Sequence, residues 1–176
     1  MNQKPLQINS EIGVLKTVLL HRPGEELENL TPDYLKDLLF DDIPHLKVAQ
    51  QEHDEFANVL RDHGVEVLYL DELVTEALNN SDSLKAEFVD EMLAASKQDS
   101  RRVTQSLRDF LLSMPTNAMV RKIMAGVRKD EISLPPEHHQ QLHDMVEQDH
   151  YPFYLDPMPN LYFTRDPAAT IGNGLT

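Results

Sequence analysis

The sequence predicts an α/β framework interrupted by an all-helical module. Two short apolar runs, Val14 to Leu20 and Val65 to Leu70, enclose helical patterns. Residues 72 to about 148 then show helical periodicity and no convincing strand. After Tyr151 the chain returns to extended, turn-rich sequence. These shifts imply three parts: 1–74 as the first part of the framework, 75–150 as the inserted helical module, and 151–176 as the return.

Val14 to Leu20 reads as a buried strand closed by Arg22-Pro23-Gly24. Thr31-Pro32-Asp33 is a helix start, with a hydroxyl cap, a proline at the first position and an acid in the first turn. A longer helix from about His45 to His63 carries Ala49, His53, Phe56 and Leu60 on one face, and Gly64 stops it. Val65 to Leu70 is the second strand, which makes a βαβ-type unit. Further helices are expected over about 83–96, 102–114, 117–125 and 136–148. Tyr151 to Pro159 reads as irregular and Leu161-Tyr162-Phe163 as strand approach. Ala168 to Ile171 reads as a strand and Gly172-Asn173-Gly174 as a tight turn leading to a partner strand. Only Leu175 and Thr176 of that partner follow, so a truncated framework is expected, with uncovered strand edges at Val14–Leu20 and Ala168–Ile171 that favour self-association.

A hydrophobic content of 40% is enough for a packed core. No apolar run approaches the ~18 residues of a membrane span, and Met1-Asn2-Gln3-Lys4 lacks the apolar core of a signal peptide, so a cytoplasmic protein without membrane association is expected. The absence of cysteine excludes disulfides, thiolate metal ligands and a thiol nucleophile within these 176 residues. A net charge of −14 repels phosphate backbones and argues against nucleic-acid binding. The exception is Arg101 to Lys129, with seven bases and one acid, Asp109; the expectation is solvated helix faces paired with acidic neighbours.

The stretch Pro159 to Pro167 is the candidate ligand site. It sets an amide, an aromatic pair, an arginine and an aspartate between two prolines. Asp166 can accept two parallel bonds from a guanidinium, or pair with Arg165, or cap a turn. Asn160 can grip a polar ligand end or serve as a turn residue, and Phe163 can wall an aliphatic chain or fill the core. His139 and His143 have the i, i+4 spacing of a shared metal ion. No matched acid or third ligand accompanies them, and an exposed helix face is the better reading. His53 reads as a hydrogen-bonded core histidine. Asp41-Asp42 reads as a backbone-bonding pair, and Gly172-Asn173-Gly174 is no phosphate loop because neither helix nor lysine follows.

Five segments together resemble the amino-terminal part of bacterial arginine deiminases, within the guanidino-modifying superfamily. They are Ser10 to Gly13 with Leu15 to Val18, Leu38 to Asp42, Glu52 to Phe56, Arg121 to Val127, and Pro159 to Pro167. They occur in the family's order over essentially the whole chain, and the last is the most specific. The resemblance implies a partial, pentein-like α/β propeller with an inserted all-helical module. The implied reaction is hydrolysis of L-arginine to L-citrulline and ammonia, without metal or cofactor. A cysteine thiolate attacks the guanidinium carbon, a thiouronium forms as ammonia leaves, and water releases citrulline. A histidine and a glutamate move protons, and two aspartates hold the guanidinium.

Carried over by residue, Asp166 matches the first guanidinium-binding aspartate, and Asn160 and Phe163 match substrate-contacting positions. Leu39 matches a loop position near the pocket mouth. The implied partners are L-arginine and further copies of the chain in a homo-oligomer. Without cysteine the 176 residues alone are expected to be inactive. Two alternatives stay open: a non-catalytic interaction module of the same ancestry, and a deiminase of another guanidino compound such as agmatine or a methylated arginine.

Overall fold

A computed structural model describes residues 12–30, 42–96, 100–132, 151–171 and 174–175, with Ile8, Ser10, Pro32, Leu35 and Phe40 as isolated positions. The expected helix starting at Thr31 lies largely outside the described residues, and the one at 136–148 wholly so, as do His138, His139 and His143.

Strand β1 (Thr17–Leu20) pairs in parallel with β2 (Glu66–Tyr69), in the register Thr17 with Glu66 through Leu20 with Tyr69. Parallel strands need a crossover, and the chain supplies it with a short helix α1 (Glu25–Glu28) and a long helix α2 (Leu46–Asp62). The expected βαβ-type unit is therefore present. Strand β1 is shorter than the apolar run suggests, because Val14 and Leu15 lie outside the ladder and are exposed.

Helix α2 stops as expected, with Gly64 at φ +78 accepting the left-handed turn. Its buried face is formed by His53 and Ala57, whereas Phe56 is 52% exposed. Helical spacing alone placed Phe56 on the wrong side of the boundary between core and solvent.

Helix α3 (Leu70–Leu78) follows β2 without a loop. Sequence reading missed it, because Val65 to Leu70 runs into it with no glycine or proline to mark the change. Asp71 and Glu72 in its first turn favour the helix start electrostatically. Helices α4 (Asp82–Ala95), α5 (Arg101–Leu112) and α6 (Thr116–Ala125) match three expected helices to within two residues at each end. Ser81 caps α4 by accepting from the Ser83 amide at 3.2 Å.

Leu78, Val89, Leu107, Leu111, Ile123 and Leu155 belong to one buried apolar cluster. On its surface four of the seven bases of the basic run pair with acids, in line with the expectation. Arg108 bonds Asp90, Arg121 bonds Asp71, Lys122 bonds Glu131 and Arg128 bonds Asp130.

The expectations of no strand within 72–148 and of irregular structure from Tyr151 to Pro159 are both overturned. Val127–Arg128 forms β3 and Phe153–Leu155 forms β4, an antiparallel pair with a register shift between Val127 and Arg128. Neither strand shows in local periodicity, since each is stabilised by a partner distant in the chain. The expected strand approach at Leu161 to Phe163 is also corrected: Pro159–Tyr162 is a 3-10 turn with proline at its start. The terminal hairpin is present as β5 (Thr170–Ile171) and β6 (Gly174–Leu175), antiparallel.

The described residues thus form a helix-rich mixture of helices and three two-stranded sheets. No helix among them is long and apolar enough to cross a membrane.

Candidate functional site

The Pro159–Pro167 stretch is seated on the end of α6. Met158 donates its amide to the Met124 carbonyl at 2.9 Å. Gly126, with φ 83 and ψ 163, lies in a region essentially restricted to glycine. A Cβ there would stand 2.7 Å from the Pro157 nitrogen and 2.8 Å from the Leu155 carbonyl oxygen. The bare glycine thus lets the Leu155–Pro157 backbone lie against the helix end, and Pro159 is buried there. From this seat the chain turns tightly. Leu161 donates to Met158 at 3.1 Å, Phe163 to Asn160 at 3.0 Å, and Asp166 to the Phe163 carbonyl at 3.3 Å. Leu161 packs against the helical core, while Asn160, Tyr162, Phe163 and Asp166 face outward.

A continuous run of rings joins this turn to the βαβ unit. Phe40 and Phe163 have centroids 6.4 Å apart, Phe163 and Tyr162 meet edge to face at 5.5 Å, and Tyr162 stands 6.5 Å from His53. His53 in turn lies 5.8 Å from Tyr69, and the Arg61 guanidinium covers Tyr69 at 5.9 Å. Tyr69 ends β2, so the run reaches the carboxyl end of a parallel strand, the edge where α/β sheets carry their ligands.

Two polar clusters brace the same edge. Arg22 donates from Nε and Nη2 to the two carboxylate oxygens of Asp54, at 2.7 and 2.8 Å. Those bonds hold the Asp54 carboxyl below its usual value and Arg22 above its own. Beneath them, His21 and Glu26 are both buried. Glu26 Oε1 accepts from the Gly24 amide at 2.6 Å and lies 2.9 Å from His21 Nε2. A carboxylate is an acceptor only, so His21 Nε2 carries the proton.

His53 is buried as expected but is not hydrogen-bonded through Nε2, which has no partner among the described residues. Its setting is aromatic. Burial holds the imidazole below its ordinary value of 6.5 against the opposing pull of Asp54, and Arg22, His21 and Arg61 add to the lowering.

Of the expected site residues, Asn160, Phe163 and Asp166 share one short turn. Leu39 lies outside the described residues, although its neighbour Phe40 packs on Phe163. Sequence reading missed Arg22, Asp54 and the roles of Tyr69 and Tyr162. The one available signal was Arg22 beside Pro23 at a strand end, opposite an acid on the following helix. No three histidine, cysteine, aspartate or glutamate side chains among the described residues are grouped to hold a metal ion. An open cleft between α3 and α6, lined by residues including Asp71, Thr75, Glu76, Asn117 and Arg121, shares none of the turn's residues.

Comparison with known proteins is consistent with the segment matches. The family profile described as Arginine deiminase matches residues 36–176. Arginine deiminase of Bacillus cytotoxicus is 58% identical over 172 residues, covering 98% of this chain and 41% of the relative's own length. Arginine deiminase of Bacillus cereus is 57% identical over 172 residues, with coverage of 98% and 41%. Arginine deiminase of Staphylococcus epidermidis is 55% identical over 176 residues, with coverage of 100% and 42%. The chain therefore spans about two fifths of the length of these curated relatives.

Proposed function

Because the chain belongs to the arginine deiminase family, we propose that it forms one wall of a pocket in which L-arginine is hydrolysed to L-citrulline and ammonia. Asp166 binds the guanidinium, Asn160 contacts the backbone end of the substrate, and Phe163 walls its aliphatic stem. Leu39 closes the mouth. A carboxylate in a fixed place orients the planar cation, so attack on its carbon proceeds from one side.

The attacking thiolate is not among these 176 residues, which contain no cysteine. The proposed chemistry therefore needs further chain to supply the nucleophile, the acid–base groups and the second aspartate. By the same reading the fold is part of a pentein-like propeller, with 1–74 and 151–176 belonging to it and 75–150 inserted. The enzyme would be a cytoplasmic homo-oligomer of arginine breakdown that works without metal or cofactor.

The carrying observation is the turn itself. The Asp166 amide bonds the Phe163 carbonyl at 3.3 Å, so the carboxylate and the apolar ring belong to one compact unit, and that ring packs on Phe40, which follows Leu39 in the sequence. The test is a titration of the isotope-labelled chain with L-arginine, followed by NMR. Amide shifts are expected at Asn160, Phe163 and Asp166, and they should be lost in Asp166→Asn. Shifts elsewhere only, or shifts indifferent to that substitution, would overturn the reading. A parallel assay of ammonia release should show no sustained turnover by the 176-residue chain.

A further inference from the structure

We propose that His53 is a positioning residue for the pocket wall: its imidazole, seated between Tyr69 and Tyr162, ties the Pro159–Tyr162 turn to the carboxyl end of β2. The tie goes beyond the residues already given a role, and its bearing on arginine rests on the pocket reading above.

Three observations carry it. His53 is buried in the middle of α2, where a solvated charge has no place, and its Nε2 makes no hydrogen bond among the described residues. A structural core histidine ordinarily satisfies both nitrogens; this one instead presents its ring to Tyr69 at 5.8 Å and to Tyr162 at 6.5 Å. Second, Tyr162 meets Phe163 edge to face at 5.5 Å, so a shift of Tyr162 is passed directly to the proposed substrate-facing ring. Third, the Met158–Met124 bond and the packing of Leu161 on the helical core fasten the start of the turn, while the exposed side chains of Tyr162 and Phe163 beyond them are held by ring contacts.

The charges around His53 make the tie sensitive to protonation. Asp54 and Arg61 come from its own helix, His21 and Arg22 from the segment after β1, Tyr69 from β2 and Tyr162 from the turn. Asp54 is the only acid of this group, and it is already held by both Arg22 bonds. An imidazolium at position 53 would therefore meet Arg22, Arg61 and His21 against the pull of Asp54, a carboxylate that Arg22 already holds. Burial disfavours the same charge, and the pKa is lowered accordingly. Above its titration His53 is a neutral ring that packs between the two tyrosines. On protonation it draws toward water and releases Tyr162.

The experiment follows the ring resonances of His53, Tyr162 and Phe163 by NMR while pH falls from 8 to 5 in roughly half-unit steps, a range that brackets the ordinary imidazole value. Tyr162 and Phe163 should move with the same midpoint as His53, below 6.5, while methyl signals of Val89 and Leu107 stay still. In His53→Phe, which keeps a ring but cannot titrate, that movement should vanish. Tyr162→Phe should keep it at Phe163, and Tyr162→Leu should lose it. Tyr162 and Phe163 signals that ignore the His53 titration in the unmodified chain overturn the proposal, as does an unchanged pH profile in His53→Phe. Adding L-arginine at each pH separates the two readings. Tracking without any arginine shift at Asn160 or Phe163 supports the tie and refutes the pocket. Arginine shifts of equal size above and below the His53 midpoint, without tracking, leave the pocket standing and refute the tie.

Discussion

Gly126 and Pro157 meet backbone to backbone, so closely that a single methyl group on Gly126 would stand 2.7 Å from the proline nitrogen. Both sides of the clash are main chain, so no rotamer change relieves it. The positive φ adds a separate cost for any side chain. Gly126→Ala should lose about 2 kcal/mol or more of stability, read as a lower urea midpoint. It should also displace the amide signals of Asn160 and Phe163, because the turn is seated on that contact.

The buried heart of the helical module should respond in the ordinary way of a packed core. Leu107 has no exposure and lies among Val89, Leu111 and Ile123. Leu107→Ala should cost about 3 kcal/mol in chemical denaturation. Phe56→Ala, at a site 52% exposed, should change stability by less than about 0.5 kcal/mol. Equal effects from the two would mean that Phe56 is covered in solution.

Lys85 ties α4 to the loop after α5. Its ammonium donates to the Met114 carbonyl at 2.6 Å and, more weakly, to Leu112 at 3.5 Å. A cation at a helix carboxyl end is favoured by the helix dipole, and a charged bond to a carbonyl is stronger than a neutral one. Lys85→Met keeps the aliphatic stem and should lose about 1 to 2 kcal/mol, measured by thermal unfolding.

Stability against pH should show two limbs on the acid side. His53 has a folded value below its unfolded one, so the unfolded chain binds the proton first. Its contribution is complete above about pH 6.5 and is lost as pH falls from there toward the folded value. Asp54 also has a lowered folded value, so its contribution holds above the unfolded carboxylate value near 4 and is lost as pH falls through the folded one. The Asp54 limb should be shallow, because the Arg22 and Asp54 side chains are 42% and 47% exposed and solvent screens the pair. Urea midpoints measured from pH 8 to pH 3 should show the first drop disappear in His53→Phe and the second shrink in Asp54→Asn.

Strand β1 pairs with β2 on one side only among the described residues, and Ile12, Val14, Leu15 and Leu19 beside it are exposed. Light scattering after size exclusion should therefore show mass rising with concentration, and Leu19→Lys should reduce that rise. A constant monomer mass would remove the case for association through this edge.

Legibility in the sequence followed the range of the forces involved. Helices α2, α4, α5 and α6 carry local apolar periods, caps or prolines, and their ends fell close to expectation. Strands β3 and β4 could not be read, because Val127 and Leu155 acquire extended structure by pairing across 28 positions of chain. The aromatic content of Leu161 to Phe163 suggested a strand, yet Pro159 and the Met158 carbonyl impose a 3-10 turn. At the candidate site the residue types Asn160, Phe163 and Asp166 stood out from the start. The ring run from Phe40 through Phe163, Tyr162 and His53 to Tyr69 did not, since its members come from four separate parts of the chain.

The bond from Met158 to Met124 has a consequence for amide hydrogen exchange. The helical cluster holds the largest fully buried side chains, so its amides should open only with global unfolding. The β1–β2 ladder is four residues long, and its outer side chains are partly exposed, so it should open far more often. Because the turn is fastened first to the helical side, the Met158 amide should exchange as slowly as α6, even in molecules whose paired strands have come apart. The start of the proposed pocket wall would then persist through excursions that dismantle the sheet beside it, while Tyr162 loses its tie to His53 and Tyr69 until the strands close again.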